Sequence, residues 1–253
     1  MFLRRKPAFL RESIVVPTKV LPAVYLNRSP GIDYKPVNIQ KGTWIGVHRN
    51  RGAHQFVVVQ ELRHIDITDF SFLAQSTHTN ITQPLGLYYC QDGVYITYEY
   101  VELDLLDILP LSSETEVASV MSQILSGIVY LINRSIDFRV QSIHVSLYGV
   151  VKLVLDWNHK PATDPSLVQI TNRLMSAYLD EIMSTMRGKP WSNDAVGFLS
   201  ILKSGYLPHA SHPFLAQSKG RIALKNPVNF AVRSNLGKRI SKDTNNSGRS
   251  RTL

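Results

Sequence analysis

Cysteine is almost absent from this sequence, since Cys90 is the only one among 253 residues. A single cysteine cannot form an intramolecular disulfide, and it cannot supply the several ligands of a cysteine zinc site. We therefore expect a protein of a reducing, intracellular compartment, either cytoplasmic or nuclear.

Long apolar runs are also missing. No stretch approaches the roughly 20 consecutive apolar residues that cross a bilayer. The chain begins Met-Phe-Leu-Arg-Arg-Lys and no long hydrophobic segment follows, unlike a secretory signal. From these absences we expect that the protein is not secreted and does not contact a membrane.

The usual signatures of hydrolytic and metal chemistry are not apparent either. Four histidines, His144, His159, His209 and His212, lack the paired spacing of a metal site, and exposed or structurally bonded histidines are the default interpretation. No Ser/His/Asp set and no glutamate pair stands out, although residues of a spatial triad need not be close in sequence.

Acidic residues are scarce at both ends of the chain. The net charge of +9 divides into +4 for residues 1–34, −3 for residues 35–218 and +8 for residues 219–253. The prolines of residues 1–34 predict an irregular basic arm. From about residue 234 the sequence has little to bury, so we expect 219–253 to be a basic, largely disordered tail that is solvated or contacts nucleic acid.

Between the two ends, a strand pattern gives way to a helical one. Val37–Val47 and Gln55–Leu62 are β-branched or aromatic stretches joined by a polar turn, which is typical of a hairpin. Leu85–Tyr89 and Val94–Val101 repeat the pattern around a second turn. At least four strands are predicted.

Three helices are predicted after these strands. From Glu114 the apolar residues recur at three- and four-residue steps, and Ser112 or Ser113 can cap this helix. Further helices are expected at Leu167–Met186 and Asn193–Lys203, the second opened by a serine. The fold class is therefore α+β, with a strand-rich part followed by a helical part.

Several segments in this order resemble the protein-kinase family: His78-Thr79-Asn80-Ile81, Tyr95–Val101, Val120–Leu131, Trp191–Leu199 and His212–Leu215. The resemblance implies a bilobal kinase-like domain over residues 35–218. Its small β-rich N-lobe would be 35–101, and its mainly helical, truncated C-lobe 102–218.

The resemblance also implies the positions of a nucleotide site. Val57-Val58-Val59-Gln60 is similar to the Val-Ala-Ile-Lys strand, but an amide cannot neutralise a phosphate as that lysine does. The glutamate that pairs with the lysine would be Asp69, and the helix that carries it would be short. The implied nucleotide-binding positions are Gly42, Gly46, Gln60, Asp69, Tyr98, Glu99 and Val101.

Two of these positions have a simpler interpretation. Gly42 and Gly46 are irregularly spaced for a loop that covers phosphates. A strand turn with Trp44 packed against it explains them better.

The catalytic positions are degenerate in the same comparison. One alignment places Asp137 at the catalytic aspartate and Ser142 at the second metal ligand; another places Phe138-Arg139-Val140 there and leaves no base. Asp137 is equally well interpreted as a surface turn carboxylate. Asp156 resembles the metal-binding aspartate of Asp-Phe-Gly, but the glycine is missing and no Ala-Pro-Glu follows.

Three functional hypotheses remain. The first is a pseudokinase that binds or scaffolds protein partners and for which ATP and Mg²⁺ do not support efficient catalysis. The second is an atypical active Ser/Thr-type kinase that retains Asp137 and Asp156 and uses Arg63 or Lys41 on the phosphates. The third is nucleic-acid binding through the basic C-terminal tail.

Overall fold

The chain forms a mixed α+β fold in the computed structural model, which describes residues 22–40, 42–50, 56–63, 77–134, 139–158, 167–185 and 190–234. The large sheet has six strands in the order β1-β5-β6-β4-β3-β2. Their bounds are β1 Ala23–Leu26, β2 Tyr34–Gln40, β3 Thr43–His48, β4 Phe56–Leu62, β5 Pro84–Cys90 and β6 Gly93–Glu99. Only β1, which lies parallel to β5, departs from the antiparallel pairing.

Both predicted hairpins are present, as β3–β4 and β5–β6. The stretch Val37–Val47, expected to be continuous, is divided between β2 and β3. Gly42 adopts a φ of 74° between them, a left-handed conformation that reverses the chain and that glycine adopts without strain.

A second, small sheet has three strands, β7 Leu103–Asp104, β8 Val140–Val145 and β9 Val151–Leu155. The helices are α1 Pro30–Asp33, α2 Glu114–Asn133, α3 Leu167–Thr185, α4 Asn193–Lys203 and α5 Pro213–Ala216. Two 3₁₀ turns span Leu105–Ile108 and Gly220–Ile222, and residues 225–234 form α6.

The predicted starts of α2 and α4 are confirmed by their caps. Ser113, not Ser112, caps α2: its hydroxyl accepts from the Glu116 N–H, and the Glu116 carboxylate accepts from the Ser113 N–H. Ser192 caps α4 and also binds the Glu114 carboxylate through its N–H and hydroxyl, each at 2.6 Å. This contact ties the beginnings of the two helices together.

Helix α2 is the centre of the main hydrophobic core. Its apolar face is buried against β9 and the C-terminal elements. Among the described residues, α2 is the one helix long and apolar enough to cross a membrane, and 61% of its apolar window is buried inside the protein. A buried core helix meets the same criteria, so the property is weak support for a span.

The large sheet is strongly curled. Tyr34 on β2 packs against Tyr88 on β5 with ring centroids 6.4 Å apart, although three strands lie between them in the sheet order. In a flat sheet those strands would be about 19 Å apart. The curled sheet therefore encloses a second, small apolar cluster on one face, formed by Tyr34, Val57, Val59 and Tyr88.

Both predicted end segments need correction within the described residues. Residues 22–34 are not an irregular arm, because β1 joins the sheet and Asp33 of α1 is buried in an ion pair with Arg28. Residues 219–234 are not part of a disordered tail, because Leu224, Val228 and Ala231 are buried in the core. Residues 1–21 and 235–253 lie outside the described residues.

The Asp33 carboxylate makes the free energy of unfolding depend on pH in the acid range. The hydrogen bond from the Arg28 guanidinium, with a further bond from the Tyr88 hydroxyl at 3.0 Å, holds the pKa of Asp33 below its ordinary value. A lowered folded-state pKa contributes stability above the unfolded pKa of about 3.9, and this is lost as pH falls through the folded value.

We therefore predict that Asp33→Asn is less stable than wild type at neutral pH and that the difference shrinks below about pH 4. Urea unfolding at a series of pH values measures it. Tyr88→Phe, which removes one hydrogen bond but keeps the carboxylate, should lose only part of the effect. A stability difference that stays constant down to the acid limit contradicts this assignment.

Candidate functional site: the cavity between the two sheets

A cavity of about 220 Å³ lies between the β2–β3 hairpin and the β8–β9 hairpin. The segment that leads out of β6 lines one of its sides. The lining residues are Asn38, Thr43, Trp44, Ile45, Val58, Thr82, Tyr98, Glu99, Tyr100, Val101, Gln141, Ser142, His144 and Val154.

The described residues that line the cavity carry no unbalanced charge. They include no lysine or arginine. Their one carboxylate, Glu99, accepts hydrogen bonds from Lys152 Nζ at 2.6 Å and from the Gln83 N–H at 2.9 Å. Because Lys152 balances this charge, the described lining offers a ligand polar groups but neither a free cation nor a free anion.

Strand β8 forms the polar floor of the cavity. Ser142 is a site position that the resemblance implied, whereas Gln141 and His144 were not predicted as site residues. Ser142 and His144 face the cavity, while the alternate residues Ile143 and Val145 are fully buried on the other face. A register shift between Val140 and Ser142 adds Gln141 to the lining. The alternation of polar and apolar residues in Val140–Val145 was the available signal.

His144 is held in one tautomer by the chain segment after β6. Its Nδ1 lies 3.2 Å from the Val101 carbonyl oxygen, which can only accept, so Nδ1 carries the proton. The contact joins the floor of the cavity to the segment that lines its side.

The structure brings together four of the predicted site residues. Tyr98, Glu99, Val101 and Ser142 all line the cavity. The other positions, Gly42, Gly46, Gln60 and Asp156, are not among its lining residues. Asp69 and Asp137 lie outside the described residues, as does Lys41.

Gly46 serves packing within β3. A Cβ at this position would lie 2.7 Å from the ring of Trp44 and 3.0 Å from the Cβ of Tyr34. Glycine is therefore needed at this position for the side chains of Trp44 and Tyr34 to pack as they do. This supports the strand interpretation of the two glycines, and Gly42 forms the turn itself.

Gln60 lies in largely apolar surroundings. It pairs with Ile96 on β6 and with Thr43 on β3, and its same-face neighbours along β4 are Val58 and Leu62. The side chain is only 7% exposed, and its Oε1 has no hydrogen-bond partner among the described residues. A buried, unpaired acceptor lowers the stability of the fold by about 1–3 kcal/mol. A charged side chain buried at this position would be less favourable still.

The turn that follows β9 is fastened to the end of β4. The Asn158 side chain accepts from the Arg63 N–H at 2.8 Å and donates to the Glu61 carbonyl at 3.0 Å. Asp156 accepts from the Asn158 N–H at 3.1 Å, so its carboxylate shapes the turn. This bridge was not predicted, because it joins residues about a hundred positions apart.

Trp157 is buried within this turn. Its ring centroid lies 6.2 Å from that of Tyr98, and its exposed fraction is 5%. Burial, and secondarily the charge of Asp156, raise the pKa of Tyr98 above its ordinary value, so the phenol stays neutral. Trp157 thus packs beside Tyr98, which lines the cavity.

Two serine and histidine pairs lie outside the cavity in the described part of the chain: His209 with Ser211, whose Nδ1 and Oγ are 2.6 Å apart, and His78 with Ser126. Ser126 Oγ is 3.4 Å from His78 Nε2, but His78 Nδ1 accepts from the Asn80 N–H at 3.1 Å. In neutral His78 the proton is therefore on Nε2, which donates to Ser126 and cannot act as its base. This pair is structural.

Metal ligands do not converge in the described part of the chain, where no group of three or more His, Cys, Asp or Glu side chains could hold an ion. Ser142 lines the cavity, whereas Asp156 is engaged in the turn. The two predicted metal ligands therefore occupy different surroundings.

No protein-family model matches the chain, and no curated protein matches it.

Proposed function

We propose that this chain is a kinase-like domain that has lost phosphoryl transfer and acts as a binding or scaffolding domain. The neutral lining of the cavity is the observation that carries the proposal. Phosphoryl transfer depends on fixed cations and metal ions that balance the charge of the phosphates, and each such group contributes orders of magnitude in rate.

The arrangement of elements supports the kinase-like part of the proposal. The six-stranded sheet precedes the long apolar helix α2 in the chain, and the cavity lies between that sheet and the hairpin β8–β9. The three positions expected to hold a nucleobase, Tyr98, Glu99 and Val101, follow one another along one side of this cavity.

The environment of Gln60 and Asp156 supports the loss of activity. Neither residue lines the cavity, and Asn158 holds the turn of Asp156 against β4. Gln60 presents an uncharged amide, whose Oε1 has no partner among the described residues, where the resemblance implies a cation. The phosphate end of a nucleotide would find no counter-charge among the described residues of the lining.

The size of the cavity points the same way. Ligand sites typically enclose about 300–1,000 Å³. At about 220 Å³, the cavity is smaller than this range. The proposed role is therefore carried by the outer surface of the domain, with protein partners as the expected ligands.

The active-kinase alternative has less support. It requires a substitute cation, and Arg63 is absent from the cavity lining, while its backbone N–H is bound to Asn158. Asp137 and Lys41 lie outside the described residues, so their part in this alternative stays a prediction.

Thermal-shift titration of the full chain tests the proposal. Saturation at a hundredfold excess over Kd adds about 2.7 kcal/mol of stability, which raises Tm by about 5 °C or more in a domain of this size. We expect ATP with Mg²⁺ to give no larger shift than adenosine. A magnesium-dependent rise in Tm of that size with ATP, and none with adenosine, would contradict the proposal.

A further inference from the structure

Residues 219–234 carry a concentrated positive charge on a folded surface. The segment contains Lys219, Arg221, Lys225 and Arg233 and no acidic residue. Arg221, Lys225 and Arg233 are exposed. None of the four forms an ion pair with another residue in the described ranges. Their charge is therefore directed at the surroundings of the protein.

The segment is anchored rather than loosely attached. Leu224, Val228 and Ala231 are at most 2% exposed and belong to the main core. The Lys219 N–H donates to the Ser119 hydroxyl of α2 at 2.9 Å. The cations are thus presented by a rigid support.

The outward face of α6 carries side chains that the fold does not use. Asn226, Asn229, Phe230 and Arg233 recur at three- and four-residue steps opposite the buried face, and all are exposed. Phe230 is 68% exposed. An aromatic ring in this position contributes little to the core, so stability does not account for it.

A second exposed aromatic residue lies beside the segment. The β8–β9 turn packs closely on Arg221, because a Cβ on Gly149 would lie 2.4 Å from the Arg221 carbonyl oxygen. Tyr148, the residue before this contact, is 75% exposed. Ile222 is 66% exposed on the same 3₁₀ turn.

We propose that the surface formed by Tyr148, Arg221, Lys225, Phe230 and Arg233 binds single-stranded nucleic acid. Cations that contact phosphates and aromatic rings that stack on bases are the two components such sites combine. Asn226 and Asn229 add hydrogen-bonding groups beside Phe230.

An anionic membrane fits this surface less well. Insertion into lipid requires a continuous apolar helix face, and that face of α6 is turned into the protein core by Leu224, Val228 and Ala231. The outward face instead carries the amides of Asn226 and Asn229 together with the aromatic ring and the arginine.

Fluorescence anisotropy with labelled 12-nucleotide oligouridine and oligothymidine tests the charge component on the full chain. Lys225→Gln/Arg233→Gln should weaken binding, and the slope of log K against log salt should fall by about 1.4 for two lost phosphate contacts. The matched control, Lys35→Gln/Lys203→Gln, removes the same charge from exposed sites elsewhere and should leave the slope unchanged. Comparison of the two oligonucleotides distinguishes RNA from DNA.

The aromatic component has its own readout. Phe230→Ala should lower the affinity for oligouridine about tenfold and leave the affinity for inorganic polyphosphate, which has no bases, unchanged. Equal losses in the charge variant and its control would overturn the proposal, as would unaltered oligonucleotide affinity in both surface variants. Tighter binding to phosphatidylserine vesicles than to either oligonucleotide would overturn it in favour of a membrane surface.

Discussion

Gln60→Lys is expected to lower the free energy of unfolding by about 3–5 kcal/mol, the cost of an uncompensated buried charge. Gln60 is 7% exposed, and its neighbours on this face of the sheet are Val58, Leu62, Ile96 and one polar residue, Thr43. A lysine here would stay charged only at the cost of its hydration. Guanidinium unfolding at neutral pH measures the loss.

The matched variant is Gln60→Leu. It removes the unpaired Oε1 and should raise stability by about 1 kcal/mol, since an apolar side chain suits the site better. The account is contradicted if the lysine variant is as stable as wild type and gains ATP binding in the presence of Mg²⁺. That outcome would mean that a phosphate site exists and lacks only its cation.

Gly149→Ala is expected to cost about 2–5 kcal/mol, the sum of a left-handed backbone and an overpacked contact. Gly149 has a φ of 77°, and an added Cβ would lie 2.4 Å from the Arg221 carbonyl oxygen. Backbone must move to relieve this overlap. Since Arg221 leads into α6, the substitution should also loosen the C-terminal helix.

Gly42→Ala provides the control. Gly42 has a nearly equal φ of 74°, but a Cβ there would meet nothing within 4 Å. It should lose only the conformational part, about 1–2 kcal/mol. Hydrogen exchange of residues 225–234 should accelerate in the Gly149 variant alone. Equal losses of stability in the two variants would show that the contact with Arg221 is not tight.

Local patterns in the sequence predicted the regular elements well. The apolar period and the serine caps located α2 and α4, because both signals arise within a few residues of chain. The hairpins followed from β-branched stretches between polar turns. The mixed α+β class follows from these elements and is what the structure has.

The ends of the domain were mispredicted because composition outweighed periodicity. The prolines before residue 34 obscured β1, which gains its stability from β5, a strand far away in sequence. In residues 219–234 the many cations masked Leu224, Val228 and Ala231, whose spacing already marks one helical face.

Four positions singled out from the sequence line the cavity, three of them on one segment and the fourth, Ser142, on β8. Tyr98, Glu99 and Val101 lie on one continuous segment, and all three line the cavity. The Asn158 bridge to β4 and the pairing of Glu99 with Lys152 join residues distant in sequence, so a single sequence cannot reveal them. The neutrality of the cavity depends on such contacts.

The central claim is that this domain does not transfer phosphate, and incubation of the full chain with γ-labelled ATP and Mg²⁺ measures it directly. We predict that label transferred to protein and phosphate released to solution stay at the level of a reaction without the chain. Magnesium-dependent transfer that is abolished by Asp137→Asn or Asp156→Asn would contradict the account and identify an active kinase.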